Sequence, residues 1–230
     1  MSLNDDLKQE VATILRNSWS TRNGQKVPEP EELKLSNDAV ELDATVLYAD
    51  LTESTGLVDS YKSYFAAEIY KSYLHTTAKI VRSEDGIITA YDGDRIMSIF
   101  IGGSKNTSAV RAALKINYAV KKIINPAIQA QYSNIKYLMQ QTVGIDTSSL
   151  FVARTGIRGS NDLVWVGRAA NYAAKLCNLS PDYPTWITDS VYKRLNKIAK
   201  FTNGKTMWEP CSWKGMRDHR IYRSTWRWPI

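Results

Sequence analysis

The chain has 230 residues, a net charge of +7 and 43% hydrophobic residues, which fits one globular domain with an appendage. The amino terminus lacks the basic and then apolar run of a signal peptide, and no later run reaches the roughly 20 apolar residues that span a bilayer, so we expect a cytoplasmic protein without a membrane segment. The positive charge favours an anionic partner, and because no arginine run is interleaved with aromatics we expect a small phosphorylated ligand and no nucleic acid.

The amino-terminal part predicts a helix and a linker. Apolar residues recur at helical spacing over 4–18, whereas 19–40 is polar and contains glycine and proline. We therefore divide the chain into an N-terminal helix with linker, 1–40, and a main domain, 41–230.

The main domain is predicted to be α+β, with a mostly antiparallel sheet and helices on one face. Asp-Gly between two β-rich runs is a strong hairpin signal. In chain order we predict a strand at 43–50, a helix over 58–82, two strands flanking Asp92-Gly93-Asp94, a helix over 104–124, a pair of strands within 137–153, a strand at 162–167, a helix over 168–178, a strand near 184–187, a helix near 188–198 and closing strands at 205–209 and 218–223.

Two aspartates stand at strand ends. Asp50 closes the apolar run VLYAD, and Asp94 lies at the predicted hairpin tip. Neighbouring carboxylates repel unless a cation lies between them, and oxygen ligands of this kind suit Mg²⁺ or Mn²⁺ completed by substrate phosphates. A second interpretation is that Asp50 caps the next turn and Asp94 completes a type I′ turn.

Several segments together resemble the class III nucleotidyl cyclases. VLYADLTESTGLV is similar to their first metal strand, DGDRIMSIF to their second metal motif, and VGIDTSSLFVARTG with DLVWVGRAANYAAKL to their long third block. WKGMRDHRIYR resembles their last hairpin, and order and spacing agree over residues 42–224. The resemblance implies a ferredoxin-like, palm-like domain that forms a head-to-tail homodimer with an active site at each end of the interface.

The resemblance also implies roles for particular residues. Asp50, Asp94 and the backbone carbonyl of Leu51 match the ligands of two Mg²⁺ or Mn²⁺ ions per site. Asn171 matches the asparagine that orients the ribose from the opposite subunit, and Lys175 occupies the place of the transition-state arginine.

Other positions depart from the family pattern at the phosphates. Lys175 keeps the charge of an arginine without its planar fork, and Lys214 is a second candidate for the phosphates. Thr142 stands where the family has an arginine, for which Arg154 or Arg158 would compensate.

The base pocket departs further. Ala90 and Val164 occupy the two places where adenylate cyclases carry side chains that recognise the purine, and neither side chain can hydrogen-bond. Tyr48 lies two residues before Asp50 on the same strand face, and Tyr91 adjoins the hairpin tip. A phenol in the pocket leaves less room for a base and favours a pyrimidine.

These features resemble the bacterial pyrimidine cyclases of Pycsar anti-phage systems. That resemblance implies conversion of UTP to 3′,5′-cyclic UMP and pyrophosphate, a messenger for a separate effector that is not held in a stable complex. The alternatives are conversion of CTP to cyclic CMP, or an inactive cyclase-like module that binds a nucleotide. The choice between UTP and CTP rests on one exocyclic group, and nothing in the sequence shows which side chain contacts it.

Overall fold

A computed structural model describes residues 2–230, which form two compact units. The first consists of residues up to Asp43 together with Ser149–Gly167, and the second of Ala44–Ser148 with Arg168–Ile230. The division into 1–40 and 41–230 stays a prediction.

The helices and strands alternate along the chain in the manner of an α+β protein. The helices are α1 (Leu3–Arg16), α2 (Ser54–Ser60), α3 (Ser63–Ser83), α4 (Lys105–Ala119), α5 (Asn125–Gln131), α6 (Arg168–Cys177), α7 (Asp189–Arg194) and α8 (Lys197–Lys200). The strands are β1 (Ser20–Asn23), β2 (Asp38–Leu51), β3 (Ile87–Asp92), β4 (Arg95–Phe100), β5 (Gln141–Ile157), β6 (Ser160–Val166), β7 (Thr185–Thr188), β8 (Phe201–Thr202), β9 (Lys205–Thr206), β10 (Glu209–Trp213) and β11 (His219–Ser224).

The first unit joins α1 to short strand pairs. β1 runs parallel to the start of β2, and the last part of β5 is antiparallel to β6. The predicted helix over 4–18 is confirmed as α1, but part of the predicted linker is a strand. An ion pair of 2.7 Å between Arg22 and the mostly buried Asp38 holds β1 beside β2. The polar composition of this segment does not predict such a long-range contact.

The second unit is built on a sheet with the strand order β10-β11-β7-β5-β2-β4-β3. β2 and β3 are each antiparallel to β4, β11 is antiparallel to β10 and β7, and β5 is parallel to β7. The predicted α+β class with a mostly antiparallel sheet is confirmed.

Helices cover both faces of this sheet, so their predicted placement on one face is wrong. Leu47, Ala49 and Leu51 of β2 face a core formed with α3 and α4. α6 lies on the opposite face, where Leu176 packs with Trp186 of β7. The alternation of a strand therefore directs neighbouring residues of β2 to different helices.

A glycine in β5 allows α6 to approach the sheet closely. A Cβ at Gly144 would lie 2.2 Å from the carbonyl oxygen of Ala173 and 2.7 Å from Cβ of Leu176. No side chain fits such a gap, so Gly144 fixes the distance between α6 and β5.

Four predicted elements differ from the structure. The helix over 58–82 is broken at residues 61–62 into α2 and α3, and the helix near 188–198 consists of α7 and α8. The pair of strands within 137–153 is the single strand β5. The closing hairpin is formed by β10 and β11, while residues 205–206 pair with β8 in a separate small sheet.

A buried ion pair connects β5 to the start of α6. The fully buried carboxylate of Asp146 accepts hydrogen bonds from Arg168 and from the hydroxyl of Thr188, at 3.3 and 2.5 Å, and its other oxygen forms an ion pair with Arg168 at 3.1 Å. Arg168 opens α6, where a cation opposes the helix dipole, so its position there depends on this partner. Burial raises the pKa of Asp146, although the hydrogen bond from Thr188 and the charge of Arg168 oppose that shift.

We expect Asp146→Ala to lower the free energy of unfolding by about 3 kcal/mol, because it leaves the buried hydroxyl of Thr188 and the guanidinium of Arg168 without their shared acceptor. Denaturant unfolding monitored by circular dichroism measures the change. Asp189→Ala is the matched control, since it breaks an exposed pair with Lys193 and should cost less than about 1 kcal/mol. Equal losses in the two variants would contradict the assigned importance of the buried pair.

Candidate active site

The hairpin of β3 and β4 places the two predicted metal aspartates beside each other. In the register of β2 and β4, Asp50 lies opposite Arg95, and in that of β3 and β4, Asp92 lies opposite the same residue. Gly93 and Asp94 form the two-residue turn between the strands. Asp94 is therefore the residue next to the direct partner of Asp50.

Of the alternative roles considered for the two aspartates, the type I′ turn at Asp94 is wrong, whereas the cap of the next turn by Asp50 stays a prediction. The residue that precedes α2 is Glu53, so Asp50 does not cap this helix. Gly93 has φ of 60°, whereas Asp94 has no positive φ, and a type I′ turn needs positive φ at both central residues.

The electrostatic environment couples the two carboxylates. Burial raises the pKa of Asp50 to about 6, with a further contribution from the negative charge of Asp94, and the nearby Arg95 opposes the shift only in part. One carboxylate oxygen of Asp94, Oδ2, is buried and has no hydrogen-bond partner. A buried carboxylate oxygen without a partner is costly, and a bound cation would remove that cost.

These residues fit a divalent cation that keeps several waters. Among residues 2–230 no group of three or more His, Cys, Asp or Glu side chains could hold a metal ion, so Asp50 and Asp94 form a pair of carboxylates and not a complete cage. Mg²⁺ and Mn²⁺ are commonly held by one or two carboxylates together with substrate phosphates. Leu51, the predicted backbone ligand, packs its side chain in the core one residue past the last pair of β2 with β4.

A cavity of about 230 Å³ is lined by residues close in sequence to Asp50 and Asp94, but by neither aspartate itself. Its lining comes from three elements: Tyr48 of β2, four residues of the β3–β4 hairpin (Ala90, Asp92, Arg95 and Met97) and Ala174 of α6. The hydroxyl of Tyr48 lies 3.0 Å from the sulfur of Met97, and burial raises the pKa of the phenol. Larger cavities of about 570 and 480 Å³ elsewhere in the described residues are lined by none of the predicted site residues.

The sequence interpretation missed Arg95, Met97 and Ala174. Arg95 directly follows Asp94, and its guanidinium lies 5.7 Å from the centre of the Tyr48 ring and donates to Asp92 at 3.1 Å. The available signal was the two-residue turn, which places the residues on either side of it opposite each other.

Asn171 and Lys175 lie four residues apart on α6 and are both exposed. The ammonium of Lys175 is 3.7 Å from the sulfur of Met216, two residues after Lys214 in the turn that precedes β11. Lys175 and Lys214 are thus on neighbouring elements, but neither is among the residues that line the cavity.

The structure does not gather the remaining predicted residues at the cavity. Tyr91 is 57% exposed and is not part of the lining, although Ala90 and Asp92 on either side of it are. Arg154 belongs to the first unit, where it donates to Asn161 at 2.7 Å and to the carbonyl oxygen of Leu33 at 3.2 Å.

The two other departures from the family pattern have plain environments. Val164 and Arg158 both belong to the first unit. Val164 lies on β6, and Arg158 lies in the exposed turn before that strand. Thr142 is buried in β5, and its hydroxyl has no hydrogen-bond partner.

The fold is that of the class III nucleotidyl cyclases. An adenylyl cyclase from P. aeruginosa superposes with a TM-score of 0.68 at 19% sequence identity, over 81% of this chain and 95% of that one. At this identity the likeness establishes the architecture alone.

Full-length relatives define the family. A uridylate cyclase from Xanthomonas perforans is 54% identical over 231 residues, and one from Burkholderia cepacia is 52% identical over 232, each match covering 100% of both chains. No protein-family model matches the chain. The chain belongs to the uridylate cyclases, a family of nucleotidyl cyclase enzymes. Within residues 2–230, none of the helices is long and apolar enough to cross a bilayer.

In the absence of metal we expect Asp50→Asn to stabilise the protein. The raised pKa means that folded Asp50 binds its proton more tightly than unfolded Asp50, so stability falls as pH rises from about 4 to about 6. The amide removes this penalty, which we place on the order of 1 kcal/mol after allowing for solvent screening. Thermal unfolding in EDTA at about pH 8 should show the gain, and it should vanish below about pH 4.

With a divalent metal ion present, we expect the unmutated protein to be more stable than Asp50→Asn. Mn²⁺ should raise the midpoint of the unmutated protein and leave Asp50→Asn nearly unchanged, since a metal that binds only the folded state stabilises it. Asp59→Asn, at an exposed position on α2, should respond to EDTA and Mn²⁺ as the unmutated protein does. A gain at Asp59 equal to that at Asp50 would show that the effect is one of general charge.

Proposed function

We propose that this protein converts UTP to 3′,5′-cyclic UMP and pyrophosphate. The observation that carries the proposal is the electrostatically coupled pair of Asp50 and Asp94, whose neighbours Tyr48 and Arg95 line a cavity with Ala90 at one of the purine-reading positions. The names of the full-length relatives support UTP as the substrate.

We assign Asp50, Asp94 and the Leu51 carbonyl as ligands of two Mg²⁺ or Mn²⁺ ions. The unpartnered carboxylate oxygen of Asp94 and the pKa of about 6 at Asp50 support this assignment. When bound, such ions lower the pKa of the attacking hydroxyl and neutralise the phosphates.

In the proposed reaction the 3′-hydroxyl oxygen of the ribose forms a bond to the α-phosphorus, and the bond from that phosphorus to the bridging β-oxygen breaks. The hydroxyl proton is released, and pyrophosphate leaves with the electron pair of the broken bond. Asn171 would hold the ribose, while the ammonium groups of Lys175 and Lys214 would stabilise charge on the phosphates. Their exposure on α6 and the neighbouring turn is compatible with action on a second chain.

The proposed base site is the cavity beside Tyr48. Its lining by Tyr48, Ala90 and Met97 supports a single-ring base in contact with apolar surface and a phenol. The predicted contributions of Tyr91 and Arg154 to substrate binding stay proposals without support from the cavity.

We further propose a head-to-tail homodimer in which each site takes its carboxylates from one chain and Asn171 and Lys175 from the other. We place the enzyme in the cytoplasm, where it would make a second messenger for anti-phage defence that acts on a separate effector. The sequence resemblance to Pycsar cyclases supports this role.

An assay with each of the four nucleoside triphosphates and Mn²⁺, with products identified by mass spectrometry, tests the substrate. We expect cyclic UMP as the main product. Cyclic CMP as the main product would favour the cytidylate alternative, and a cyclic purine nucleotide would contradict the base assignment. If no substrate turns over while nucleotide still binds, the inactive module is correct. Asp50→Asn should abolish turnover, and the exposed control Asp59→Asn should not.

Mixing two inactive variants tests the shared sites. Asp50→Asn and Asn171→Ala are each expected to be inactive, but a heterodimer has one site free of both changes, so random exchange should restore about a quarter of normal activity. The control mixture is Asp50→Asn with Asp94→Asn, which alter the same half of the site and should restore nothing. Recovery in both mixtures, or in neither, would contradict the proposed arrangement.

A further inference from the structure

Arg95 carries a guanidinium group and lines the cavity beside Tyr48. We propose that Arg95 distinguishes uracil from cytosine by donating a hydrogen bond to the oxygen on C4 of uracil. The inference rests on the proposed function and adds the side chain that selects between the two pyrimidines.

Strand geometry places the Arg95 side chain beside Tyr48. Arg95 lies opposite Asp50, but its guanidinium is 5.7 Å from the ring centre of Tyr48, two residues earlier in β2. Tyr48 in turn lies opposite Met97, and all three residues line the cavity. A triphosphate held at Asp50 and Asp94 would therefore have its base beside Tyr48, within reach of Arg95.

Arg95 has donors to spare. Its Nη2 donates to Asp92 at 3.1 Å, whereas its Nε is buried and has no hydrogen-bond partner. A buried N–H group without an acceptor costs free energy, and such a group in a folded protein calls for an explanation. An acceptor on a ligand in the adjacent cavity supplies one.

The attachment of the ribose and the enclosure of Arg95 indicate which atom of the base meets the arginine. The ribose is attached at N1 of a pyrimidine, and C4 lies across the ring from N1, so the substituent on C4 enters first. The side chain of Arg95 is 30% exposed and that of its partner Asp92 is 79% exposed, so Arg95 is the more enclosed of the two charged residues in the lining. The substituent on C4 is consequently directed towards the arginine.

Uracil and cytosine differ at this substituent in hydrogen-bond polarity. Uracil carries an oxygen, which accepts, and cytosine carries an amino group, which donates. Arginine has five N–H donors and no acceptor. It can therefore donate a hydrogen bond to the oxygen of uracil, but it cannot form one with the amino group of cytosine, which is also a donor. Loss of a hydrogen bond for which a site is built costs far more selectivity than loss of apolar contact.

The position of Asp92 extends the match to a second atom. Its carboxylate accepts from Arg95 and lines the same cavity, where it can also accept from N3–H of uracil. Cytosine has no hydrogen on N3. A donor next to an acceptor in the protein thus faces an acceptor next to a donor on the uracil edge.

The test compares kcat/KM for UTP and for CTP in Arg95→Met and Arg95→Lys. Arg95 also lies near Asp50, so a general loss of activity is expected in Arg95→Met, and the ratio of the two substrates isolates recognition of the base. We expect the preference for UTP to fall about 10- to 100-fold in Arg95→Met. Arg95→Lys should keep part of the preference, because the ammonium donates but lacks the fork. Arg82→Met, at an exposed arginine in the last turn of α3, should leave the ratio unchanged.

An equal loss for UTP and CTP in Arg95→Met would overturn the inference and assign Arg95 to the phosphates. A wild-type preference for CTP would overturn it as well. If the unmutated protein makes no cyclic nucleotide, the proposed function itself has failed. Binding without metal gives a second measurement. In the unmutated protein UMP should raise the unfolding midpoint more than CMP does. In Arg95→Met the two nucleotides should raise the midpoint by the same amount. A UMP advantage that survives in Arg95→Met would count against Arg95.

Discussion

The register between β2 and β4 is the constraint on which the site depends. With Asp50 opposite Arg95, the hairpin turn carries Asp94 to the side of Asp50. A shift of one residue would turn every side chain of the hairpin to the other face of the sheet, so the apolar residues that hold the register also hold the carboxylates together. Ile96, Ile99 and Phe100 of β4 are fully or almost fully buried, which makes such a shift costly. Burial of these apolar residues thus holds Asp50 and Asp94 close together despite the repulsion between their charges.

A second set of contacts positions α6, which carries the residues assigned to ribose and phosphate. Gly144 brings the helix against β5, and Asp146 anchors its first residue, Arg168. Both anchors lie on β5, two residues apart and hence on the same face of the strand. Asn171 and Lys175 follow at intervals that leave them exposed. The residues proposed for the site are therefore held in two ways, by the pairing of β2 with β4 and by the packing and charge contacts of β5 with α6.

The sequence predicted local features better than features that arise from long-range contacts. The Asp92-Gly93-Asp94 hairpin and α6 have local signals, a turn dipeptide and an apolar stripe. β5 was predicted as a pair of strands, yet Thr147 within it is buried and bonded to Thr45 and to the carbonyl oxygen of Ala44. Polar residues can continue a buried strand when residues distant in sequence form hydrogen bonds with their side chains. Arg95 was missed for the same reason, since its role depends on what lies opposite it.

Chemistry and selectivity occupy successive positions along the same pair of strands. Asp50 lies near the end of β2 and Asp94 in the turn before β4, and the cavity is lined two residues further along the strands by the pair Tyr48 and Met97. A change in the lining of the cavity can therefore alter the base that fits without moving the aspartates. Arg95 alone connects the two, because its backbone pairs with Asp50 while its guanidinium lies over Tyr48. A family that keeps this fold can thus change its nucleobase through a few side chains of the hairpin and β2, while the packing that positions Asp50 and Asp94 stays the same.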